Sequence, residues 1–218
     1  MDVAAFFDFD ETLLELESSR IGFEWLMDHR MLPSRFLFKI MAANIFYRLH
    51  LISEQRMVKI MLTYYRNKKL ADFEAGAEAF YRDHLKPHLA PAILSRVNTH
   101  KTKNHRLVLI SGSIRYWLEP VVKNLGFDYL LSTDLEVDKD GILTGMPKGP
   151  VCVGQTKKTL ALKLAERVGI DINKSFAYGN HQSDIPLLES VGYPHVVEPT
   201  GPLEKIARQR SWPILSFR

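Results

Sequence analysis

Three short polar motifs each follow directly after an apolar run of the sequence. Residues 3–7, 107–110 and 175–178 form the apolar runs. The motifs that follow them are Asp8-Phe9-Asp10-Glu11-Thr12, Ser111-Gly112-Ser113 and Gly179-Asn180-His181-Gln182-Ser183-Asp184. Short apolar runs of this kind are typical of strands buried on both faces of a parallel sheet. Acidic side chains at the end of a buried strand are costly unless they have a use, so the first motif predicts a chemically active site.

The order of the predicted elements indicates how these motifs are brought together. After residue 106 strands and helices alternate, which predicts an α/β fold with a parallel sheet. Residues 15–100 have helical spacing throughout and no strand-like alternation. We therefore predict a Rossmann-like core formed by residues 1–15 and 103–218, and an inserted all-helical cap formed by residues 16–102. Ligands bind beyond the carboxyl ends of strands in such sheets, so the three motifs should meet in one crevice.

Composition excludes several classes of protein. The chain has 218 residues, of which 46% are hydrophobic and 25% charged, as is ordinary for a globular domain. The formal net charge is +4, too small to indicate nucleic-acid binding, and no repeated basic and aromatic pattern accompanies it. The single cysteine, Cys152, excludes an internal disulfide and a zinc site built on several cysteines. The sequence indicates no oligomeric state.

The chain carries no signal peptide or transmembrane pattern, and we expect a cytoplasmic protein. One segment nevertheless has a membrane-like composition. Residues 30–50 contain four cationic residues and no acid, among many large apolar residues; the cations are Arg30, Arg35, Lys39 and Arg48. A basic amphipathic helix can lie on an anionic membrane. The alternative, which we favour, is a cap helix that packs its apolar face on its neighbours.

The three motifs, together with Lys157 at a predicted helix start between the last two, resemble the four motifs of the haloacid dehalogenase superfamily of phosphatases. More narrowly, the chain resembles the phosphoserine-phosphatase-like branch, subfamily IB. Each motif is weak on its own, but their order and their places at strand and helix ends are specific. The resemblance covers essentially the whole chain, although the cap matches only in position and helicity. It implies a phosphomonoester hydrolase that acts on a small phosphorylated metabolite and requires Mg²⁺.

The resemblance also implies roles for individual residues. Asp8 would be the nucleophile that forms an aspartyl-phosphate, and Asp10 the general acid and base. Thr12 would help to orient the loop. The hydroxyl of Ser111 and the amide of Gly112 would bind phosphoryl oxygens.

The resemblance also implies a lysine that balances the negative charge of Asp8 and the phosphate. Lys157 fits the family's spacing in Gly154-Gln155-Thr156-Lys157, while Lys158 and Lys148 are weaker candidates. His181 is a candidate metal ligand or substrate contact, although a solvent-facing role is more common for a lone loop histidine. Cys152 lacks a convincing base, so a packing role is expected.

The proposed metal ligands depart from the family pattern at one position. Asp8, the backbone carbonyl of Asp10 and Asp184 fit the family, but Asn180 stands where an aspartate is usual. An amide oxygen can bind Mg²⁺ without contributing charge. Three roles for Asp184 stay open: it binds the metal directly, it binds the metal through water, or it holds Lys157. The substitution also leaves open a non-catalytic or weakly active binding protein with this fold.

The cap gives limited information about the substrate. Glu17 lies nine residues after Asp8, where phosphoserine phosphatases place the glutamate that contacts the substrate's ammonium group, although Glu11 and Glu15 are close by. In the family an arginine of a cap helix should bind the phosphoserine carboxylate. Here Arg56 comes too early and Val58 occupies the expected position. Phosphoserine phosphatase proper is therefore an alternative rather than the main prediction.

Overall fold

A parallel sheet of six strands lies at the centre of the computed structural model, which describes residues 1–218. Its strands are β1 (Ala4–Phe7), β2 (Arg106–Ile114), β3 (Tyr129–Thr133), β6 (Phe176–Gly179), β7 (Tyr193–Val197) and β8 (Ile214–Leu215). Their order in the sheet is β3-β2-β1-β6-β7-β8, and every pairing is parallel. Two further strands, β4 (Leu135–Val137) and β5 (Leu143–Pro147), form a separate antiparallel hairpin.

The chain has nine α-helices, some of which pack on the sheet while the others lie in the inserted helical segment. They are α1 (Ser18–Asp28), α2 (Ser34–Arg48), α3 (Glu54–Leu62), α4 (Leu70–Phe80), α5 (Pro91–Thr102), α6 (Arg115–Leu125), α7 (Gln155–Val168), α8 (Ile185–Leu188) and α9 (Gly201–Gln209). Ser53 caps α3, as its sequence predicts, because its hydroxyl accepts a hydrogen bond from the Arg56 amide.

Strand β1 is buried on both faces, which explains its continuous apolar sequence. Ala5 and Phe7 belong to the core that includes residues of α5 and α6. Ala4 and Phe6 point to the opposite face and pack with residues of α7, α8 and α9. Successive side chains of a strand alternate between faces, so a strand covered on both sides must be apolar throughout. The predicted Rossmann-like parallel sheet is confirmed.

The hairpin of β4 and β5 joins the helical segment to the rest of the chain. The Asn67 amide donates to the Leu143 carbonyl at 2.9 Å, and the Leu143 amide donates to the Lys68 carbonyl at 2.8 Å. The Leu70 amide donates to the Gly141 carbonyl at 3.0 Å. These bonds attach the segment between α3 and α4 to the hairpin, whose turn runs from Asp138 to Gly141.

Helix α5 packs on the sheet rather than among the cap helices. Ile93 and Val97 are buried and share a core with Phe7 and Leu107. From this packing we propose that the cap ends near residue 90 and that α5 belongs to the core. The predicted cap of residues 16–102 would then be about one helix too long at its end, because helical spacing alone does not show which neighbour a helix covers.

Helices α8 and α9 are absent from the sequence prediction. Helix α8 has only four residues, too few to show a helical period. Helix α9 begins at Gly201 with a proline in its first turn and buries Leu203 and Ala207. No helix in the structure combines the length and the apolarity needed to span a bilayer.

Candidate active site

The three polar motifs meet at the carboxyl edge of three adjacent strands. β1 lies between β2 and β6, with Phe7 in register with Leu109 on one side and Tyr178 on the other. Asp8 therefore leaves the sheet between Ser111 and Asn180. The sequence predicts this convergence, and the strand order explains it.

Lys157 forms the centre of the charged cluster. Its Nζ donates to Asp8 Oδ1 at 2.8 Å and to Asp184 Oδ1 at 2.6 Å, and all three side chains are buried. Lys157 lies in the first turn of α7, which starts after Gly154. Gly154 has φ 54° and ψ −129°, a conformation accessible essentially to glycine alone. The family spacing from glycine to lysine thus has a local backbone reason.

The electrostatics of this cluster are dominated by burial. Burial alone would lower the pKa of Lys157, but the adjacent Asp184 and Asp8 raise it above its ordinary value. Burial and the charge of Asp184 raise the pKa of Asp8, while Lys157 opposes that rise. One cation between two buried carboxylates leaves an excess of negative charge, which a further cation would offset.

Asp184 is held too firmly by the protein to be an obvious direct metal ligand. Its Oδ1 accepts from Lys157, and its Oδ2 accepts from the backbone amides of Asn180 at 3.2 Å and His181 at 3.1 Å. Gly179 permits this approach, since a Cβ there would lie 2.7 Å from the Cβ of Asp184. Of its three predicted roles, the contacts favour the one in which Asp184 holds Lys157.

The amide of Asn180 is oriented by an acid that was not assigned a role from the sequence. Asn180 Nδ2 donates to Glu11 Oε2 at 3.1 Å, so its carbonyl oxygen points away from Glu11. Glu11 itself has φ 50°, within the unusual loop that follows β1. An aspartate at position 180 would instead face the Glu11 carboxylate, which gives the departure from the family pattern a local electrostatic reason.

Asp10 is fixed by three hydrogen-bond donors. The Ser18 amide donates to Oδ1 at 2.6 Å, while the hydroxyls of Ser113 and Ser111 donate to Oδ2 at 2.8 Å and 3.3 Å. Ser18 is the first residue of α1, so the carboxylate also lies at the positive end of a helix. Ser18 and Ser113 were missed from the sequence, and only the position of Ser113 in the second motif could have suggested it.

Thr12 and Gly112 lie where their motifs predict, but their roles stay predictions. Thr12 is buried and its Oγ1 has no hydrogen-bond partner. A buried hydroxyl without a hydrogen-bond partner is uncommon and costs stability. A Cβ on Gly112 would lie 2.8 Å from Val153 Cγ1, so a larger residue at this position would displace the Val153 side chain.

Two acids of the helical segment, Glu17 and Glu54, lie close enough to the core motifs for charges there to shift their pKa values. Burial, Glu11 and Asp10 raise the pKa of Glu17. Burial also raises the pKa of Glu54, while the charges of His181 and Lys157 lower it. Glu54 begins α3 and was missed, because the sequence gives no sign that this helix start faces the core motifs.

Tyr47 lies within electrostatic range of both acids. Burial raises the pKa of the Tyr47 hydroxyl, and the charges of Glu54 and Glu17 raise it further. Three cap residues from three different segments thus lie near one another on the side of the molecule that faces the core motifs.

The weaker sequence candidates for the site lysine, a metal ligand and a nucleophile lie outside the charged cluster. Lys148 is exposed, and Lys158 makes no hydrogen bond to the cluster. His181 binds the Ser183 hydroxyl through Nδ1 at 2.9 Å and closes the loop before α8. Cys152 is fully buried, and burial raises the pKa of its thiol to about 12, as a packing role requires.

The donor set fits a magnesium ion. Asp8 offers a carboxylate and Asn180 an amide oxygen, and oxygen ligands of this kind suit Mg²⁺. Mg²⁺ commonly binds through one or two carboxylates together with substrate phosphate and water, so a dense ligand cluster is unnecessary. No group of three or more His, Cys, Asp or Glu side chains is placed to hold a metal in the structure. The excess negative charge around Asp8 nevertheless favours a cation there.

The family model described as haloacid dehalogenase-like hydrolase matches residues 5–189. The histidinol-phosphatase of Neisseria meningitidis is 28% identical over 224 residues, which cover 98% of each chain. The inhibition of morphological differentiation protein of Streptomyces azureus is 35% identical over 144 residues, which cover 66% of this chain. This chain spans about half of that relative, 51% of its length.

Two solved structures share the fold across the chain. A Bordetella pertussis protein of unknown function superposes with a TM-score of 0.89 at 23% identity, and the match covers 100% of both chains. A phospho-aspartyl intermediate analogue of phosphoserine phosphatase superposes with a TM-score of 0.70 at 19% identity, covering 100% of this chain and 94% of the other.

Proposed function

Because the chain belongs to the haloacid dehalogenase-like hydrolases, we propose that it is a phosphomonoester hydrolase of the phosphoserine-phosphatase-like type. It would hydrolyse small phosphorylated metabolites through an aspartyl-phosphate on Asp8. The observation that carries this proposal is the buried Lys157 shared between Asp8 and Asp184. Such a lysine orients Asp8 and offsets the charge that accumulates when a phosphate dianion approaches a carboxylate.

The side chains support a reaction in two steps. Asp8 attacks phosphorus through a carboxylate oxygen, the bond from phosphorus to the ester oxygen breaks, and Asp10 protonates the leaving alkoxide. Asp10 then removes a proton from water, which attacks the aspartyl-phosphate and releases inorganic phosphate and free Asp8. Asp10 is suited to both transfers because Ser18, Ser113 and Ser111 hold its carboxylate in place.

Asp8, Asn180 and the backbone carbonyl of Asp10 would hold Mg²⁺, which when bound would neutralise the repulsion between the carboxylates and the phosphate. Asp184 supports this site by holding Lys157. Glu11 supports it by orienting the Asn180 amide. The predicted phosphate contacts of Ser111 and Gly112 are part of the same proposal.

For the substrate we propose a phosphomonoester with a positively charged group. Glu17 and Glu54 are two acids near the core motifs, and Tyr47 lies within the field of both. The histidinol-phosphatase of Neisseria meningitidis, to which the chain is similar along its length, is named for a substrate that carries an amine and an imidazole. Phosphoserine stays an alternative, but Arg56 is exposed and Val58 packs in an apolar cluster of the cap and hairpin.

The test is phosphate release from a panel of phosphomonoesters with Mg²⁺ and with chelator. The panel includes histidinol phosphate, phosphoserine, glycerol phosphate, nucleotides and lysophosphatidate. We expect turnover that requires metal, that prefers an amine-bearing compound and that is lost in Asp8→Asn. Turnover by Asp8→Asn equal to that of the wild type would refute the assigned nucleophile. No release from any compound would favour a binding protein.

A second variant separates the substrate proposal from the reaction proposal. Glu54→Gln should raise KM about tenfold for the amine-bearing substrate, because a charged contact is worth about 1.5 to 3 kcal/mol, and leave glycerol phosphate unaffected. Glu24→Gln, on an exposed face of α1 where Glu24 pairs with Arg20, is the matched control. Equal effects of Glu54→Gln on both substrates would contradict the role of Glu54 in recognising a cation.

A further inference from the structure

The outer face of α2 is apolar and uncovered. Phe38, Met41, Ile45 and Leu49 are 72%, 61%, 58% and 62% exposed. Their spacing of three, four and four residues places them on one side of the helix and its last turn. Large apolar side chains that are exposed singly are ordinary, but a continuous stripe of four indicates an interaction surface.

The opposite face of the same helix is already used for packing. Phe36 and Ala43 are buried, and Phe36 lies against Phe23 and Tyr64 of the cap. The packing interpretation favoured from the sequence therefore accounts for only one of the two apolar faces. The remaining stripe needs another explanation.

Other exposed apolar residues lie on α2 or close to it in the sequence. Met27 and Met31 lie at the end of α1 and in the turn before α2, and Leu51 lies in the turn after it; their exposures are 55%, 47% and 64%. Phe46, on the flank of the stripe, is 49% exposed. We call this set, with the four residues of the stripe, the α2 surface.

The charges on α2 and in the turns at its two ends are all positive. Residues 29–53 contain no Asp or Glu, and Arg30, Arg35, Lys39 and Arg48 are exposed. Arg35 and Arg48 lie on opposite sides of the apolar stripe. Lys39 donates to Thr63 Oγ1 at 2.8 Å, which keeps it at the edge of the cap. An apolar centre with a cationic rim is complementary to an anionic lipid surface.

We propose that the α2 surface docks the cap onto an anionic lipid bilayer, with α2 lying in the plane of the interface. A helix of 15 residues is roughly 22 Å long, which suits a peripheral contact rather than a span. A second copy of the chain is a poorer occupant, since a symmetric pairing would place the same cationic rim against itself. The lipid contact does not depend on the proposed reaction.

Vesicle sedimentation of the full chain tests the proposal. We expect the protein to sediment with vesicles of equal parts phosphatidylglycerol and phosphatidylcholine. Sedimentation with phosphatidylcholine alone should be much weaker, and high salt should release the protein. The double variant Phe38→Ser and Ile45→Ser should bind about tenfold more weakly, because less apolar surface enters the interface. Arg35→Glu with Arg48→Glu should weaken binding at least as much, at about tenfold or more.

The matched control is Met146→Ser, which removes an exposed apolar side chain from the hairpin at a place outside the α2 surface. It should bind like the wild type. These exposed changes should also leave the far-ultraviolet circular dichroism unchanged, so a loss of binding is not a loss of folding. The proposal is overturned if the protein stays in the supernatant with both vesicle types. It is equally overturned if light scattering shows a dimer that the Phe38 and Ile45 variant dissociates.

Discussion

Lys157 is the residue on which the charge balance of the site depends. It is the only cation that hydrogen-bonds both buried carboxylates, and its position is set by a helix start that requires Gly154. Its removal would leave Asp8 and Asp184 facing each other without compensation. The breaking of such buried pairs is strongly unfavourable, because the remaining charge keeps its desolvation cost.

Lys157→Met should lower the free energy of unfolding by about 3 to 5 kcal/mol and remove most phosphatase activity. Urea denaturation and phosphate release measure the two effects. Lys158→Met is the control, since Lys158 is the neighbouring lysine that takes no part in the cluster. If the two variants lost stability and activity equally, Lys157 would not be the lysine of the site.

At the scale of elements, α5 and the central strands share a stack of aromatic and histidine rings. Phe7 of β1 stacks on Tyr178 of β6 with ring centroids 4.4 Å apart. His100 of α5 hydrogen-bonds the Tyr178 hydroxyl through Nε2 at 2.9 Å and His105 through Nδ1 at 2.8 Å. Neutral rings can satisfy both bonds, and burial favours the uncharged form of His100.

Acid should therefore destabilise the fold through His100. Burial, with further effects from His105 and other cations, lowers the pKa of His100 to about 4, below its ordinary value near 6.5. Between pH 6.5 and about pH 4, His100 is protonated in the unfolded chain but neutral in the folded chain. The stabilisation is complete above pH 6.5 and is lost as the pH falls toward 4.

The expected loss from His100 is about 2 kcal/mol between roughly pH 7 and pH 5. Urea denaturation at both pH values measures it. His100→Gln should have lower stability at pH 7 but a smaller pH dependence, while His29→Gln, which changes an exposed histidine, should keep the wild-type slope. An unchanged slope in His100→Gln would show that other groups control acid stability.

At the scale of the whole molecule, the site belongs to both the core and the cap. Asp10 binds the first residue of α1, Ser18, whose hydroxyl also contacts Ser113 at 3.0 Å. The hairpin holds the chain between α3 and α4. The first three helices are thus attached at both ends, an arrangement suited to excluding water from the proposed acyl phosphate.

Mg²⁺ should stabilise the folded molecule if Asp8 and Asn180 hold it. Binding at a ligand concentration about 100 times Kd adds about 2.7 kcal/mol, which corresponds to roughly 5 to 10 °C in Tm for a domain of this size. Thermal unfolding with Mg²⁺ and with chelator measures the shift. Asn180→Ala should reduce the shift and Asn173→Ala, at a distant turn, should not. A shift that Asn180→Ala leaves intact would exclude Asn180 as a ligand.

Local patterns predicted most of the elements and the order of the motifs. The strand of residues 4–7 is visible because burial on both faces requires a continuous apolar run, and Asp8 interrupts that run abruptly. Asp8, Ser111, Asn180 and Lys157 could be singled out because each follows an apolar run or begins a predicted helix, while their roles are what the family resemblance implies. The parallel sheet then brings such positions to one edge.

The supporting contacts could not be predicted in the same way. Ser113 is 103 residues from Asp10, and Asn180 is 169 residues from Glu11. No local periodicity relates positions so far apart. The start of α3 looks like any capped helix, so the approach of Glu54 to the core motifs depends on the orientation of the cap.

Local patterns in the amino-acid sequence are enough to predict the strands, the alternation that gives a parallel sheet, and the residue types at the strand ends. These features follow from short-range periodicity and the cost of burying charge. The folded molecule alone shows that α5 covers the sheet, that Asp184 holds Lys157, and which side of α2 remains uncovered. Helix α2 is apolar on both sides, so its sequence cannot indicate which stripe its neighbours bury. That choice depends on packing between segments distant in the chain.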